Sequence, residues 1–160
     1  MILVTGHTGI LGSALMKHPE THPYRRRLGE DHAVSNADSA AILGAGTYSA
    51  AILCAGTKGF NECDGNEEVF SNDVDGNIRL IRALLKNKVF VVFISTEAVE
   101  RIGHRAAYSS NRLLVEQFLW TQDNNAIIRP RKFDKSNAGL LAGFCIHIAQ
   151  NKKQGIHRCL

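Results

Sequence analysis

The chain has 160 residues, of which 44% are hydrophobic and 21% are charged, and its formal net charge at pH 7 is +4. This length and balance are typical of one globular domain with a single core, and they exclude an intrinsically disordered or collagen-like chain. A mildly basic charge falls short of what a dedicated nucleic-acid-binding domain usually carries, so we expect no nucleic-acid partner.

The cysteine pattern and the apolar runs bear on compartment and metal binding. Cys54, Cys63, Cys145 and Cys159 show no C-x-x-C pairing, so the sequence predicts neither a zinc site nor a disulfide framework. Reduced thiols are typical of the cytoplasm. The first residues lack the pattern of a signal peptide, and no apolar run approaches the length of a transmembrane helix. We therefore expect a cytoplasmic protein without membrane contact.

The first part of the chain predicts strands and helices in alternation. A short apolar run at residues 2–4 predicts a buried strand, a glycine-rich turn occupies residues 5–12, and a helix follows over residues 13–16. A second strand is expected within the polar stretch at residues 18–31, where the pattern specifies it only weakly. Next come a short strand, a small helix and a longer strand, at residues 33–35, 39–43 and 48–53.

The second part continues the alternation with longer elements. Residues 67–85 predict a helix whose apolar side chains recur at helical spacing, at Val69, Phe70, Val74, Ile78, Ile81 and Leu85. The continuous apolar run at residues 89–94 is the clearest strand, because a parallel strand covered on both faces is apolar throughout. A helix, a strand and a final helix are predicted at residues 107–120, 126–128 and 138–151.

This alternation predicts an α/β fold of the doubly wound type, with a parallel sheet covered by helices on both faces. The sequence shows no linker and no internal repeat, so a single domain is expected over residues 1–160. In such a fold, ligands bind beyond the carboxyl ends of the strands. The residues that follow each predicted strand are therefore the first candidates for a binding site.

The glycine-rich turn has the spacing Gly6-x-x-Gly9-x-x-Gly12 and directly follows Thr5 at the end of the first strand. A first glycine permits a tight turn, a second lets the backbone approach a pyrophosphate, and a third lets helix and strand pack closely. The helix that follows offers free N–H groups to phosphates. The pattern indicates a dinucleotide-binding turn, with a glycine-rich turn that binds no ligand as the alternative.

Five further segments appear in the order found in a known superfamily. They are Asn36-Ala37-Asp38, Cys54-Ala55-Gly56, Asn72-x-x-x-Gly76, the run from Phe93 to Val99, and Ile128-Arg129-Pro130. With the glycine turn, they resemble the short-chain dehydrogenase/reductase superfamily over residues 1–133, and in particular its extended or atypical branch. That branch includes NAD-dependent epimerases and dehydratases and the dTDP-4-dehydrorhamnose reductases. The resemblance implies a Rossmann-type fold that binds NAD or NADP.

The resemblance also implies which residues bind the dinucleotide: Gly6, Thr8, Gly9, Ile10, Leu11, Gly12, Arg25, Arg26, Asp38, Cys54, Ala55, Gly56, Tyr108 and Arg112. An acidic residue after the second strand binds the ribose hydroxyls of NAD, whereas an arginine accepts the 2′-phosphate of NADP. Glu30 and Asp31 offer the first option, but Arg25-Arg26-Arg27 precedes them. We therefore favour NADP, with a solvated turn as the other interpretation of these arginines.

The catalytic candidates implied by the resemblance are Thr96, Tyr108 and Arg112. Residues i and i+4 share a helix face, so the Tyr108 phenol and the Arg112 guanidinium can both face the cleft. A nearby cation favours the ionised phenol. Thr96 would hydrogen-bond a substrate carbonyl while Tyr108 moves the proton. The family has lysine at the position of Arg112, whose guanidinium is bulkier and planar, whereas Glu116, one turn further on, matches the family.

Three functions remain open at this point. The first is an NAD(P)-dependent oxidoreductase or epimerase acting on a carbonyl or hydroxyl of a small polar substrate, such as a nucleotide-sugar. The second is a non-catalytic dinucleotide-binding protein, redox-sensing or scaffolding, with a degenerate Tyr-x-x-x-Arg site. The third is a chain that needs a partner, since 160 residues leave little room for the C-terminal substrate lobe of extended members. Helices 67–85 and 107–120 are those that this superfamily uses in a homodimer, although their apolar content fits core packing equally well.

Overall fold

The computed structural model describes residues 1–24, 48–56, 60–100, 107–131 and 133–159. Within these ranges, six parallel strands form a single sheet, at Ile2–Thr5 (β1), Thr21–Pro23 (β2), Ala50–Leu53 (β3), Phe90–Ile94 (β4), Asn125–Pro130 (β5) and Gly155–Cys159 (β6). The strand order is β2-β1-β3-β4-β5-β6. The predicted α/β class with a parallel sheet is confirmed.

Helices connect the strands. They run over Ile10–Leu15 (α1), Phe60–Cys63 (α2), Glu67–Phe70 (α3), Asn77–Lys86 (α4), Ala107–Trp120 (α5) and Ala138–Asn151 (α6). A π-helical segment at Ser71–Gly76 joins α3 to α4, and a 3-10 turn at Glu97–Glu100 follows β4. No helix in the described ranges is both long enough and apolar enough to cross a lipid bilayer.

The sheet separates two apolar clusters, because successive side chains of a strand point to opposite faces. On one face, Val4 and Ile52 pack in a cluster with residues of α1 and α6. On the other face, Leu3 and Leu53 pack in a cluster with residues of α4 and α5. The strands in the middle of the sheet are buried on both faces, which explains why they appear in the sequence as continuous apolar runs.

Some predicted boundaries shift, and one strand has no signal in the hydropathy pattern. The helices α5 and α6 begin and end at the predicted residues. Helix α1 begins earlier than residue 13, because Gly9 is already its N-cap. Strand β2 contains Pro23 and lies at one edge of the sheet, the position where a strand tolerates proline. Strand β6 is the opposite edge and is mostly exposed, so it carries no apolar run.

The predicted helix at residues 67–85 is interrupted by the π-helical segment, which changes the face that is buried. A π-helix has more residues per turn than an α-helix, so the positions that follow it are rotated around the axis. Val74 and Ile81 are buried as expected, but Phe70 is 41% exposed, and Leu80 and Leu84, which were not predicted, are buried as well. The α-helical spacing therefore predicted the helix and only part of its buried face.

Part of the sequence prediction lies outside the described residues. This applies to the strand at residues 33–35, to the helix at residues 39–43, and to the dinucleotide-binding candidates Arg25, Arg26 and Asp38. The strand, the helix and the three binding residues therefore stay predictions.

A buried ion pair joins α5 to β5. Arg129 donates through Nε to Glu116 Oε1 at 3.1 Å and through Nη2 to Glu116 Oε2, and the Glu116 side chain is fully buried. Arg129 Nη1 also donates to Glu100 Oε1 at 2.7 Å, which accepts a second bond from Arg158 of β6 at 2.9 Å. Bonds from Arg158 and Arg129 hold the pKa of the Glu100 carboxyl below its usual range. The network therefore links α5, the 3-10 turn and two strands.

Removing the Glu116 carboxylate should destabilise the fold strongly, because the buried Arg129 guanidinium loses its two-bond partner. For Glu116→Ala we expect the free energy of unfolding to fall by about 3–5 kcal/mol, measured by urea denaturation. Glu97→Ala is the matched control, because Glu97 pairs with the exposed Arg131 at 3.0 Å and exposed pairs contribute about 0–1 kcal/mol. Equal losses in the two variants would contradict this role for the buried pair.

Candidate functional site

The glycine turn closes tightly on itself and against the end of β3. The Gly9 amide donates to the Gly6 carbonyl oxygen at 2.9 Å. Gly6 adopts φ +65°, a conformation that side chains disfavour. A Cβ on Gly12 would lie 2.0 Å from the Gly6 carbonyl oxygen, and a Cβ on Gly6 would lie 2.9 Å from the Ala55 amide nitrogen. The backbone itself therefore excludes side chains at Gly6 and Gly12.

Thr5 connects this turn to the residues that follow β3. Its buried hydroxyl accepts hydrogen bonds from the amides of Cys54 and Ala55, each at 3.1 Å. The two amides belong to the segment Cys54-Ala55-Gly56, which continues beyond the last β3 residue. One threonine hydroxyl thus holds the ends of β1 and β3 in register where the site begins.

A cleft of about 440 Å³ opens at the carboxyl ends of β1, β3 and β4. Its lining residues are Gly6, Thr8, Gly9, Ile10, Leu11, Gly12, Cys54, Ala55, Gly56, Ile94, Ser95, Tyr108, Arg112 and Phe133. The structure thus brings together every dinucleotide-binding candidate that lies within the described residues. The catalytic candidates Tyr108 and Arg112 are part of the same lining, whereas Thr96 is not.

The Arg112 guanidinium is buried at the junction of β3, β4 and α5. Its Nη1 donates to the carbonyl oxygen of Ala55 at 3.3 Å and to that of Ile94 at 3.4 Å. Its Cζ lies 5.5 Å from the centre of the Phe93 ring and 5.6 Å from the centre of the Tyr108 ring. Two carbonyl dipoles and two aromatic faces therefore compensate for the burial of this charge.

Arg112 occupies this space because Gly56 has no side chain. A Cβ on Gly56 would lie 2.0 Å from Arg112 Nη2. Any other residue at that position would push the guanidinium away from the strand ends. The glycine that ends Cys54-Ala55-Gly56 and the arginine on α5 are thus sterically coupled.

Tyr108 reaches the cleft because α5 starts just before it. The Ala107 amide, at the first residue of α5, donates to Asp64 Oδ1 at 3.4 Å. Tyr108 is half-buried, and its ring contacts the Arg112 guanidinium one helical turn later. The i, i+4 spacing predicted from the sequence therefore does place the phenol and the guanidinium on one side of α5, facing the cleft.

Ser95, which the sequence analysis did not single out, lines the cleft in place of Thr96. The Ser95 amide donates to the Ile128 carbonyl oxygen at 2.8 Å and so extends the β4–β5 ladder by one residue. The Thr96 hydroxyl instead accepts a bond from the Ala98 amide at 3.2 Å, within the 3-10 turn region. The pair Ser95-Thr96 at a strand end was the available signal, and the two residues differ in their tertiary and local hydrogen bonds.

Two apolar residues, Ile94 and Phe133, complete the lining. Ile94 ends the clearest predicted strand, so its position at the carboxyl edge follows from the sequence pattern. Phe133 comes after β5 and packs against the core cluster on the α1 and α6 face. No local pattern around Phe133 indicates a site, since the tertiary fold alone brings it to the cleft.

Cys54 faces the cleft as a neutral thiol. Withdrawal from water raises the pKa of the Cys54 thiol to about 12, and the positive charge of Arg112 opposes this only in part. The thiolate is the form of cysteine that reacts with oxidants. At neutral pH the Cys54 sulfur is therefore protonated, which gives no support to redox sensing by this residue.

Comparison with known proteins identifies the family and the fold. A family model described as the NAD dependent epimerase/dehydratase family matches residues 2–117. The chain resembles a hypothetical dTDP-4-dehydrorhamnose reductase from Sulfolobus tokodaii, with 18% identity, a TM-score of 0.80, and coverage of 98% of this chain and 75% of that chain. A search of curated proteins finds no sequence match.

Two further structures that resemble the chain contain a dinucleotide. One is dTDP-4-dehydrorhamnose reductase from Bacillus anthracis in complex with NADP, with 15% identity, a TM-score of 0.76, and coverage of 99% of this chain and 73% of that chain. The other is RMD from Pseudomonas aeruginosa complexed with NADPH, with 20% identity, a TM-score of 0.63, and coverage of 82% of this chain and 52% of that chain. At such identities these likenesses establish the fold alone.

The family match spans most of the chain, and it includes β1 with its glycine turn, β3, β4 and the part of α5 that carries Tyr108 and Arg112. The Rossmann-type fold is shared with the solved structures. The chain therefore belongs to the NAD-dependent epimerase/dehydratase family, in the extended branch of the short-chain dehydrogenases/reductases.

Proposed function

We propose that this chain binds NADP(H) or NAD(H) in the cleft and catalyses the reduction or epimerisation of a small polar carbonyl or hydroxyl substrate, with a nucleotide-linked sugar as the substrate class. One observation carries the proposal. The cleft runs without interruption from the glycine turn, past Ala55 and Gly56, to Tyr108. The turn that would bind the dinucleotide and the phenol that would carry the proton thus lie in one cavity.

The residues present fit a dinucleotide. Gly6 and Gly12 are packed so closely that no side chain projects into the turn, which leaves its backbone open to a pyrophosphate. The rest of the lining is mainly small or apolar, as in other sites that bury a large organic ligand. When bound, the nicotinamide group supplies or accepts a hydride.

In this proposal, residues of the chain itself would transfer the proton and hold the proton-transferring side chain in position. Tyr108 would donate a proton to the substrate oxygen, or take one from it, through its phenol. Arg112 would hold the Tyr108 ring in position. Its guanidinium contacts that ring and donates hydrogen bonds to two strand-end carbonyls. Thr96 remains a candidate only if substrate approaches from outside the described lining, because its hydroxyl lies beyond the cleft.

The cofactor preference and the location rest on fewer observations. The relatives from Bacillus anthracis and Pseudomonas aeruginosa are complexed with NADP and NADPH. We propose NADP for this chain too, with Arg25 and Arg26 as the side chains that would accept the 2′-phosphate. We also propose a cytoplasmic location, as the cysteine pattern predicts.

A pairing of two copies through α3–α4 and α5 also belongs to the proposal. The side chains of Phe70 and Leu114, on α3 and α5, are 41% and 40% exposed. Exposed apolar groups on neighbouring helices suit a two-fold contact in which the same patch meets itself. Sedimentation of the chain over a range of concentrations measures this pairing, and a monomer at all concentrations would exclude it.

A non-catalytic dinucleotide-binding protein is the second candidate function. The burial of Arg112 favours it, because a guanidinium bonded to Ala55 and Ile94 differs from the flexible lysine of the family in reach. Binding of NADPH without its oxidation by any of a broad panel of carbonyl compounds would support this candidate. NADPH oxidation by one of them would exclude it.

The glycine turn yields the first test of the proposal. Gly12→Ala places a methyl group against the Gly6 carbonyl oxygen, so we expect at least a roughly tenfold loss of NADPH affinity by calorimetric titration. Gly143→Ala is the control, because that glycine lies in α6 with open space around it. The control should bind as the parent does and gain about 0.5–1 kcal/mol of stability. Unchanged NADPH affinity in Gly12→Ala would contradict the proposed binding mode.

Loss of the phenol tests the chemical step. We expect Tyr108→Phe to reduce turnover by about 10²–10⁴-fold, the usual contribution of a proton-transferring side chain. The measurement is NADPH oxidation with dTDP-4-dehydrorhamnose and related nucleotide-linked keto sugars. Tyr48→Phe removes a phenol outside the cleft lining and should leave turnover unchanged. A Tyr108→Phe variant as fast as the parent would exclude the catalytic role.

Exchange of the arginine for the family's lysine tests how Arg112 acts. Arg112→Lys keeps the charge but loses the planar group that bonds two carbonyls and contacts two rings, so we expect a stability loss of about 1–3 kcal/mol by urea denaturation. Arg82→Lys is the control, because Arg82 is exposed and contacts one ring, that of Phe118, at 5.2 Å. The control should change stability by less than about 0.5 kcal/mol. A stable Arg112→Lys variant would show that charge alone suffices there.

A further inference from the structure

Arg112 is the only charged residue among the described residues that line the cleft. The residue is 6% exposed, and it forms no ion pair with a described carboxylate. The two carbonyls and two aromatic rings around its guanidinium lower the cost of burial, but they carry no negative charge that would neutralise it. Within the described residues, the cleft therefore holds a positive charge without a counter-ion.

One edge of the Arg112 guanidinium is open to the cleft. Both carbonyl bonds come from Nη1, and no described acceptor bonds to Nε or Nη2. Nη2 lies over Gly56, because a Cβ on Gly56 would be 2.0 Å from it. Gly56 itself lines the cleft, and neither nitrogen is closed off from solvent. The edge formed by Nε and Nη2 is therefore available to a ligand in the cleft.

Arg129 shows what this edge of a guanidinium binds elsewhere in the same protein. Its Nε donates to Glu116 Oε1 at 3.1 Å, and its Nη2 donates to Glu116 Oε2. Two parallel donors match the two oxygens of one carboxylate, a fit that the single ammonium of a lysine does not offer. Arg112 presents the same two donors to the cleft, so a carboxylate is the group that suits them best.

The position of Arg112 favours an anionic group of the substrate over a phosphate of the dinucleotide. In the proposed complex the pyrophosphate contacts the backbone of the glycine turn, which follows β1. Arg112 instead bonds to the carbonyls just after β3 and at the end of β4, and its Cζ lies 5.6 Å from the centre of the Tyr108 ring. An anion on Arg112 would therefore lie beside the substrate oxygen that Tyr108 would protonate.

We infer that Arg112 binds a carboxylate of the substrate through Nε and Nη2, and that the substrate is a sugar acid whose carboxylate lies a few bonds from the reacting carbonyl or hydroxyl. The inference rests on the proposed function and narrows its substrate class. A site built to pair a buried polar group rejects an analogue that leaves the group unpaired. Arg112 is then the residue that selects the acid over the neutral sugar.

A matched pair of ligands tests the inference in the intact chain with NADP bound. The pair is nucleotide-linked glucuronate and nucleotide-linked glucose, each in its UDP and dTDP form. The two sugars differ at one carbon, which carries a carboxylate in the first and a neutral hydroxymethyl group in the second. We expect calorimetric titration to show that the parent binds the acid about 10- to 100-fold more tightly. Because this comparison uses the parent protein, it does not depend on the folding of any variant.

Variants of the chain assign the preference to the guanidinium. Arg112→Gln removes the charge, so we expect it to bind the acid and the neutral sugar with equal affinity. Arg112→Lys keeps the charge without the two-donor edge and should show a smaller preference than the parent. Arg82→Gln is the control, because Arg82 is exposed on α4 and lies outside the cleft lining. The control should keep the full preference for the acid.

The results that would overturn the inference differ from those that would overturn the proposed function. Equal affinity of the parent for the acid and the neutral sugar, or binding of neither while NADP binds, shows that Arg112 does not recognise a substrate carboxylate. If Arg112→Gln keeps the preference for the acid and weakens NADP instead, the guanidinium binds a phosphate of the dinucleotide. If the parent binds neither NADP nor NAD, the proposed function itself fails, and the inference fails with it.

Discussion

The placement of one buried guanidinium governs the geometry of this site. Arg112 extends from α5 into the space left by Gly56 and bonds to the carbonyls that end β3 and β4. A charge in such a place is tolerated only where dipoles and aromatic faces surround it. The same contacts fix the ring of Tyr108 beside the cleft. The strand ends, helix α5 and the Tyr108 phenol are thus assembled around a single side chain.

The position of α5 that makes this contact possible is set at both ends of the helix. Near its start, the Ala107 amide bonds to Asp64, and two turns beyond Tyr108 the buried Glu116 carboxylate binds Arg129 of β5. Apolar packing of α4 and α5 on the sheet supplies the rest. Because breaking a buried pair exposes an unpaired charge to the core, the helix cannot rotate freely. The functional cleft therefore depends on an ion pair that does not line it.

Family membership and cleft geometry support one function from independent directions. The family model covers the glycine turn and the Tyr108–Arg112 segment, and the structure places both segments in one cavity. The replacement of the family's lysine by Arg112 changes the reach of the cation more than its charge. Ser95, a buried residue that was not among the predicted site residues, also belongs to the lining of this cavity. These features support the proposed dinucleotide-dependent activity, with positioning groups that differ in part from those of the family.

The sequence by itself determined the fold class, most elements and the glycine turn, because apolar runs, helical spacing and glycine spacing are local consequences of backbone geometry. It also determined the i, i+4 placement of Tyr108 and Arg112. Only the tertiary structure showed strand β6, which is an exposed edge without an apolar signal. Only the tertiary structure distinguished Ser95 from Thr96, because the Ser95 amide bonds to Ile128 of β5, whereas the Thr96 hydroxyl accepts a bond from the Ala98 amide. That choice depends on the ladder with β5, a contact between residues far apart in the chain.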